Sequence, residues 1–302
     1  MHKFKAVVCS LAFLILTGCG DSEPKQVEKK NYITLSDMND ACNYFNQQLE
    51  GILNQAKSLN DPYDAYSLLV KAYHGVDKDH KRIVYTSPST NMIIRQSKFT
   101  IKETIRDAHG SSLYTCNLIR KYDGLKALFD YLDAALATGN KKAFLELYTT
   151  KQAQYDKSSI AKVEALQIKY SKEFAALAES SKVGETVDND LILLYAYQLS
   201  KGFVYPKNSE HAVEFYSKLY PSDNIIPFHI MGVYLGINDF ENAYFWKLRC
   251  VGICANSLNE LNDKAIGRMG LKIETVFSEM LTSGQFKAIE AAASDPARMS
   301  FK

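Results

Sequence analysis

Breakers of regular structure are scarce in this chain, with only 15 glycines and 7 prolines among 302 residues. Average proteins carry about 7% glycine and 5% proline, so a collagen-like chain is excluded and long uninterrupted elements, helices above all, are favoured. An excess charge of either sign is also missing: 36 Lys plus Arg stand against 34 Asp plus Glu, a formal net charge of +2. Nucleic-acid binders usually carry a basic surplus, so no nucleic-acid partner is expected. Six cysteines in so long a chain do not make a small disulfide scaffold. With 46% apolar and 12% aromatic residues, the chain is not composed like a disordered protein and has ample material for a large core.

The first residues set an address. Met1 to Lys5 is a short cationic head, and Ala6 to Leu16 is apolar apart from Ser10. That run is too short for a permanent membrane span and has the order of an export signal. It ends in Leu16-Thr17-Gly18-Cys19, which resembles the lipobox of bacterial lipoproteins at all four positions. The resemblance implies cleavage between Gly18 and Cys19, diacylglycerol on the Cys19 thiol and acylation of the new amino group. Several acyl chains anchor a protein stably where one is reversible. Gly20, rather than an acidic residue, follows Cys19, and in Gram-negative lipoproteins this favours the inner leaflet of the outer membrane, facing the periplasm. Residues 1–18 are therefore expected to be signal, and the polar, aperiodic stretch 19–31 a lipidated tether. Loss of Lys3 and Lys5 with the signal removes the whole formal charge.

Cys9 would leave with the signal, so Cys42, Cys116, Cys250 and Cys254 remain as candidate disulfide cysteines. In an oxidising compartment they allow three pairings. Cys250 and Cys254 on one continuous helix would direct their thiols poorly, so a bridge between them needs a break at Gly252. Two thiols with no histidine nearby do not complete a metal site, and neither a metal nor a cofactor is expected.

Helical periodicity dominates the rest. Ser36 is placed to cap a helix with Met38, Cys42, Phe45, Leu49, Ile52, Ala56 and Leu59 on one stripe. Asp61-Pro62 supplies a cap and a first-turn proline for a second helix, with Tyr66, Leu69, Val70 and Tyr73 inward. Residues 82–95 interrupt the pattern with two apolar or β-branched runs around Ser87-Pro88-Ser89-Thr90, which reads as a short β-hairpin or an extended loop. From Ser97 onward helical signals resume, with Gly110, Gly124, Gly139 and Gly184 as stops. Leu125 to Leu136 marks one helix, and Val163, Leu166, Tyr170, Phe174 and Leu177 a longer one.

Two segments then match each other. Leu193-Leu194-Tyr195-Ala196-Tyr197, a turn with Gly202, and Ala212 with Phe215-Tyr216 are echoed by Ile230-Met231-Gly232-Val233-Tyr234 and Ala243 with Tyr244-Phe245-Trp246. Ala212 and Ala243 lie 31 positions apart in sequence, a period characteristic of helical repeats. These units resemble the Sel-like branch of the tetratricopeptide repeat superfamily, with a longer first turn containing Pro206 and a second turn lacking the family's Gly-x-Gly-Val. The resemblance implies an all-α solenoid of helix-turn-helix repeats over 187–302, after an N-terminal helical region at 32–186, and a surface that binds protein rather than catalyses.

The usual catalytic signatures are absent: there is no His-Glu-x-x-His, no Gly-x-Ser-x-Gly and no phosphate-binding glycine loop. An enzyme is therefore not expected. Tyr244 and Trp246, and Ile83 and Tyr85 in the irregular segment, are the candidate partner contacts, since exposed aromatics dominate interface hot spots. Family and address together imply a periplasm-facing interaction module. Within that class stands an immunity protein that neutralises a secreted toxin, such as a lipase-type effector of type VI secretion. A scaffold or adaptor of an envelope assembly or signalling complex is the alternative, with an envelope hydrolase as a remote third. A Cys19→Ala chain is expected to take up no radiolabelled palmitate and to leave the membrane fraction. Undiminished labelling would show that the acyl acceptor lies elsewhere.

Overall fold

Thr34 opens the first helix, α1 (Leu35–Ser58), through a reciprocal cap. Its hydroxyl accepts from the Asp37 N–H while the Asp37 carboxylate accepts from the Thr34 N–H. Ser36, the expected cap, is instead the second residue of the helix, two positions after Thr34. Met38, Phe45, Leu49 and Ala56 are buried as the stripe requires, but Cys42 and Ile52 are only half-buried and Leu59 lies outside the helix. Asp61 and Pro62 start α2 (Pro62–Tyr73) as expected, the Asp61 carboxylate accepting from the Tyr63 N–H at 2.7 Å. The computed structural model describes residues 33–76, 78–79, 81–89, 91–95, 100–107, 110–117, 124–149, 157–220, 222–260 and 272–301. The expected signal and tether, with the expected cleavage and lipidation positions Gly18 and Cys19, lie outside these. Among the described residues no helix is long and apolar enough to cross a membrane.

After α2 the chain forms strands. β1 (Val84–Thr86) pairs antiparallel with β2 (Ile93–Arg95), so the irregular segment is a hairpin, with Tyr85 opposite Ile94. A second antiparallel pair follows, β3 (Thr100–Asp107) with β4 (Gly110–Asn117), where helix was expected and where Gly110 was read as a helix stop. The misreading has a physical cause. Ile101 and Ile105 are four residues apart, a spacing that shares a face in both a helix and a strand. The β-branched residues Thr100, Ile101, Thr104 and Ile105 decide for the strand. Asp107 pairs with Gly110, so Gly110 sits at a tight hairpin turn. The chain is therefore mostly helical with two small hairpins, rather than purely helical.

The remaining helices are α3 (Gly124–Ala137), α4 (Lys141–Thr149), α5 (Lys157–Lys169), α6 (Ser171–Ser180), α7 (Thr186–Lys201), α8 (Ser209–Leu219), α9 (Ile226–Leu235), α10 (Phe240–Leu248), α11 (253–260), α12 (Ile273–Met280) and α13 (Ser283–Ala293). The expected long helix through Tyr170 is two, because Tyr170 leaves helical geometry at φ −103° and ψ 15°. Its hydroxyl donates to the Asp133 carboxylate at 2.6 Å, which ties the joint to α3. Neighbours in sequence pack in space: α1 on α2, α2 on α3, α7 on α8, α8 on α9 and α9 on α10. Helix α7 also receives α4 and α6, so one core runs across the expected boundary at 186/187.

Two disulfides close the chain on itself. Cys42 of α1 joins Cys116 of β4 across 74 residues, with Cα atoms 6.0 Å apart. A loop of that size is worth about 4 kcal/mol in the chain-entropy account. Cys250 joins Cys254, and the intervening Gly252 takes a left-handed φ of +60°, which supplies the break that this close spacing demands.

The hairpin turn is fastened to α1 by a buried carboxylate. Asp37, 3% exposed, accepts hydrogen bonds from the Ser87 hydroxyl, from Ser89 Oγ at 2.7 Å, and from the Thr34 N–H and hydroxyl. Burial alone would push this carboxyl up, but donation by Ser87, Ser89 and Thr34 outweighs it and holds the group at about 2. The folded value lies below the unfolded one, so its contribution is complete above about pH 4 and disappears as pH falls towards 2. A drop from 3.8 to about 2 corresponds to about 2 kcal/mol. Urea unfolding between pH 5 and pH 2 is expected to show that loss in the wild type and a flatter profile in Asp37→Asn. Equal slopes in the two proteins would show that the carboxylate does not carry the effect.

Candidate binding groove

Most helices of a folded domain show one apolar and one polar face, and two helices here depart from that, α7 in its middle and α9 along its whole length. In α7 the run Leu191 to Tyr197 is apolar throughout. Leu191, Ile192, Tyr195, Ala196 and Leu199 enter the core, while Leu193 and Leu194 on the other side are only half-buried and Tyr197 is 38% exposed. Helix α9, Ile226–Leu235, contains no Asp, Glu, Lys or Arg at all. Its Ile226, Ile230, Met231 and Val233 are buried, Phe228 and His229 are half-buried, and Gly232 is exposed.

These outward faces border a continuous groove. One part, a recess of about 380 Å³, is lined by Leu145 and Thr149 of α4, Asp190, Leu193, Leu194 and Tyr197 of α7, Tyr216 of α8 and His229 of α9. A second part of about 470 Å³ shares Tyr197, Tyr216 and His229 and adds Lys201, Lys207, Phe228, Gly232, Val233 and Gly236. The local sequence explains the shape. Gly202 in the left-handed conformation, φ +71°, ends α7, and Asn208 caps α8, so α8 folds back beneath α7. Tyr216, buried, then stacks on His229 with ring centres 5.2 Å apart and planes 6° from parallel. Burial holds the His229 imidazole below its ordinary value against the opposing effect of Asp223, so the ring is neutral at pH 7 and the groove floor stays uncharged.

The residues singled out from the sequence lie elsewhere. Trp246 is fully buried and meets Tyr220 edge-on at 5.2 Å, and Ile83 is 8% exposed. Neither is available to a partner, so both are corrected to core residues. Tyr244 is half-buried between Phe277 and Phe286, and Tyr85 is half-buried against Tyr44. All four stand apart from the groove. Sequence reading missed Tyr197, His229 and Gly232, although the lack of charge across α9 was a usable signal.

Nothing in the groove resembles a catalytic set. Ser87, Ser89 and Asp37 do converge elsewhere, but both hydroxyls donate to the carboxylate, which makes the cluster a fastening for the hairpin. Among the described residues no group of three or more His, Cys, Asp or Glu could hold a metal ion. Comparison with protein-family models, with curated proteins and with solved structures finds no match.

Gly232 is costly where it stands, since glycine within a helix is less favourable than alanine by about 1 kcal/mol. A Cβ at this position would meet nothing within 4 Å. Gly232→Ala is therefore expected to raise unfolding stability by about 0.5–1 kcal/mol in urea titration. A destabilised variant would mean that the position is constrained from within the fold.

Proposed function

We propose that the protein is a lipid-anchored interaction module of the bacterial envelope, held through Cys19 in the inner leaflet of the outer membrane and binding a protein in the periplasm through the groove on α7 and α9. The observation that carries this reading is the groove itself: an open, largely apolar surface formed by the unbroken apolar run Leu191 to Tyr197 of α7 and by α9, which has no charged residue. The helix hairpins α7–α8 and α9–α10, with Ala212 and Ala243 buried where the helices approach, support a Sel-like repeat solenoid. Apolar surface of this kind is more useful for capping another protein than for turning over a substrate.

Within that class we favour an immunity role. The anchor would hold the module beside the membrane that a lipase-type toxin attacks, and the groove would cover part of that toxin. The neutral mature chain fits capture at short range, without long-range electrostatic steering. The test is a protection assay, with the gene neighbouring this one expressed in the periplasm as the candidate toxin. Wild-type protein is expected to restore growth, and Cys19→Ala to restore it less. Toxicity that wild-type protein leaves undiminished, together with a growth defect on deletion in the absence of any toxin, would replace immunity by an envelope scaffold.

A further inference from the structure

The groove has ends of opposite charge, and this bears on what occupies it. Asp190 stands near the start of α7 and Lys201 at its end. They lie eleven positions apart along the helix, about 16 Å at 1.5 Å per residue. Lys207 joins Lys201 at the second end, its ammonium donating to the Gly236 carbonyl at 3.3 Å. Lys201 lies 5.7 Å above the Tyr197 ring. Among the described residues Asp190, Lys201 and Lys207 form no ion pair with one another or with any other side chain. Between the two ends the bed is apolar, with Leu193, Leu194 and Tyr197 along α7.

Gly232 adds an independent point. Its backbone dihedral is not left-handed, and a Cβ there would touch nothing. Neither turn geometry nor internal crowding calls for glycine, yet the residue leaves bare backbone on the groove wall. Bare backbone admits the close approach of a second chain.

We infer that the groove takes an amphipathic segment of a partner protein, about 16 Å long, with two or three apolar side chains along α7, an acidic residue at the Lys201 and Lys207 end, and a basic residue towards Asp190. This inference rests on the interaction-module reading and names the chemistry of the partner. An anionic lipid would satisfy the lysines but lay its acyl tail against the Asp190 carboxylate, whereas a peptide with both signs of charge meets both ends.

The test is selection of displayed random 12-residue peptides on the purified full-length protein, followed by affinity measurement with synthetic versions. Two variants attack the groove in different ways: Gly232→Trp fills the open space, and the double variant Lys201→Glu, Lys207→Glu reverses one end. Both changes fall on exposed positions, and circular dichroism melts confirm folding. Selected peptides are expected to pair an apolar core with Asp or Glu on one side. Their affinity should fall at least tenfold in each variant and hold in Lys57→Glu on the distant α1. Peptides with Asp or Glu changed to Lys should regain binding to the double variant. Peptides indifferent to both groove variants would overturn the inference while leaving the protein an interaction module. So would binding of phosphatidylglycerol vesicles that is lost in both variants and not competed by peptide. No enriched peptide would also overturn it, and failure of the protection assay as well would remove the immunity reading.

Discussion

A chain of aromatic rings holds the helical body in register. Phe144 and Tyr148 of α4 both stack on Phe174 of α6, at 6.1 and 4.0 Å between centres. Phe174 meets Tyr195 of α7 edge-on at 5.9 Å, and Tyr195 meets Phe215 of α8 at 5.0 Å. Rings of this size bury large areas and prefer a few geometries, so each contact limits the rotation of the helix that bears it. Four helices are thereby locked on one another at their inner faces. The groove follows from that lock: once Tyr195 is committed inward, helical spacing turns Leu193, Leu194 and Tyr197 away from it. Hydroxyls at the edge of the stack are also used, since Tyr205 donates to the Ser171 carbonyl at 2.5 Å and Tyr148 to that of Gln167 at 2.7 Å.

Helices with a single apolar stripe and a sharp start were legible in advance. The second helix is the clearest case, because Asp61 and Pro62 act on their nearest neighbours and need no tertiary information. The hairpin at 84–95 was legible as a break in pattern, and the structure chose between the two forms left open. Strands β3 and β4 were misread, because the four-residue spacing of Ile101 and Ile105 satisfies both periods and the β-branched residues Thr100, Ile101, Thr104 and Ile105 were the local sign that separates them. The break at Tyr170 depends on Asp133, 37 residues away, which no local window contains.

The groove illustrates a different limit. Aromatic residues in sequence advertise either a core or an interface, and composition does not separate the two. Trp246 and Tyr197 look alike as residue types, yet one is fully buried and the other borders open space. Burial is decided by which helix covers which face. The usable sign was negative: α9 has no charged residue with which to face water.

The Cys42–Cys116 bridge ties the β region to the helical body in a way that depends on the surroundings. In a reducing compartment strand β4 would be joined to α1 by non-covalent contacts alone, and the unfolded chain would regain the freedom of a long open loop. The helices beyond 124 contain none of that bridge and owe it no covalent support. Each part thus holds a bridge of its own, and oxidation acts on them unequally, since Cys42–Cys116 closes a span of 74 residues and Cys250–Cys254 one of 4. Where an oxidant is present, closing this 74-residue loop and completing the fold of the β region become the same event.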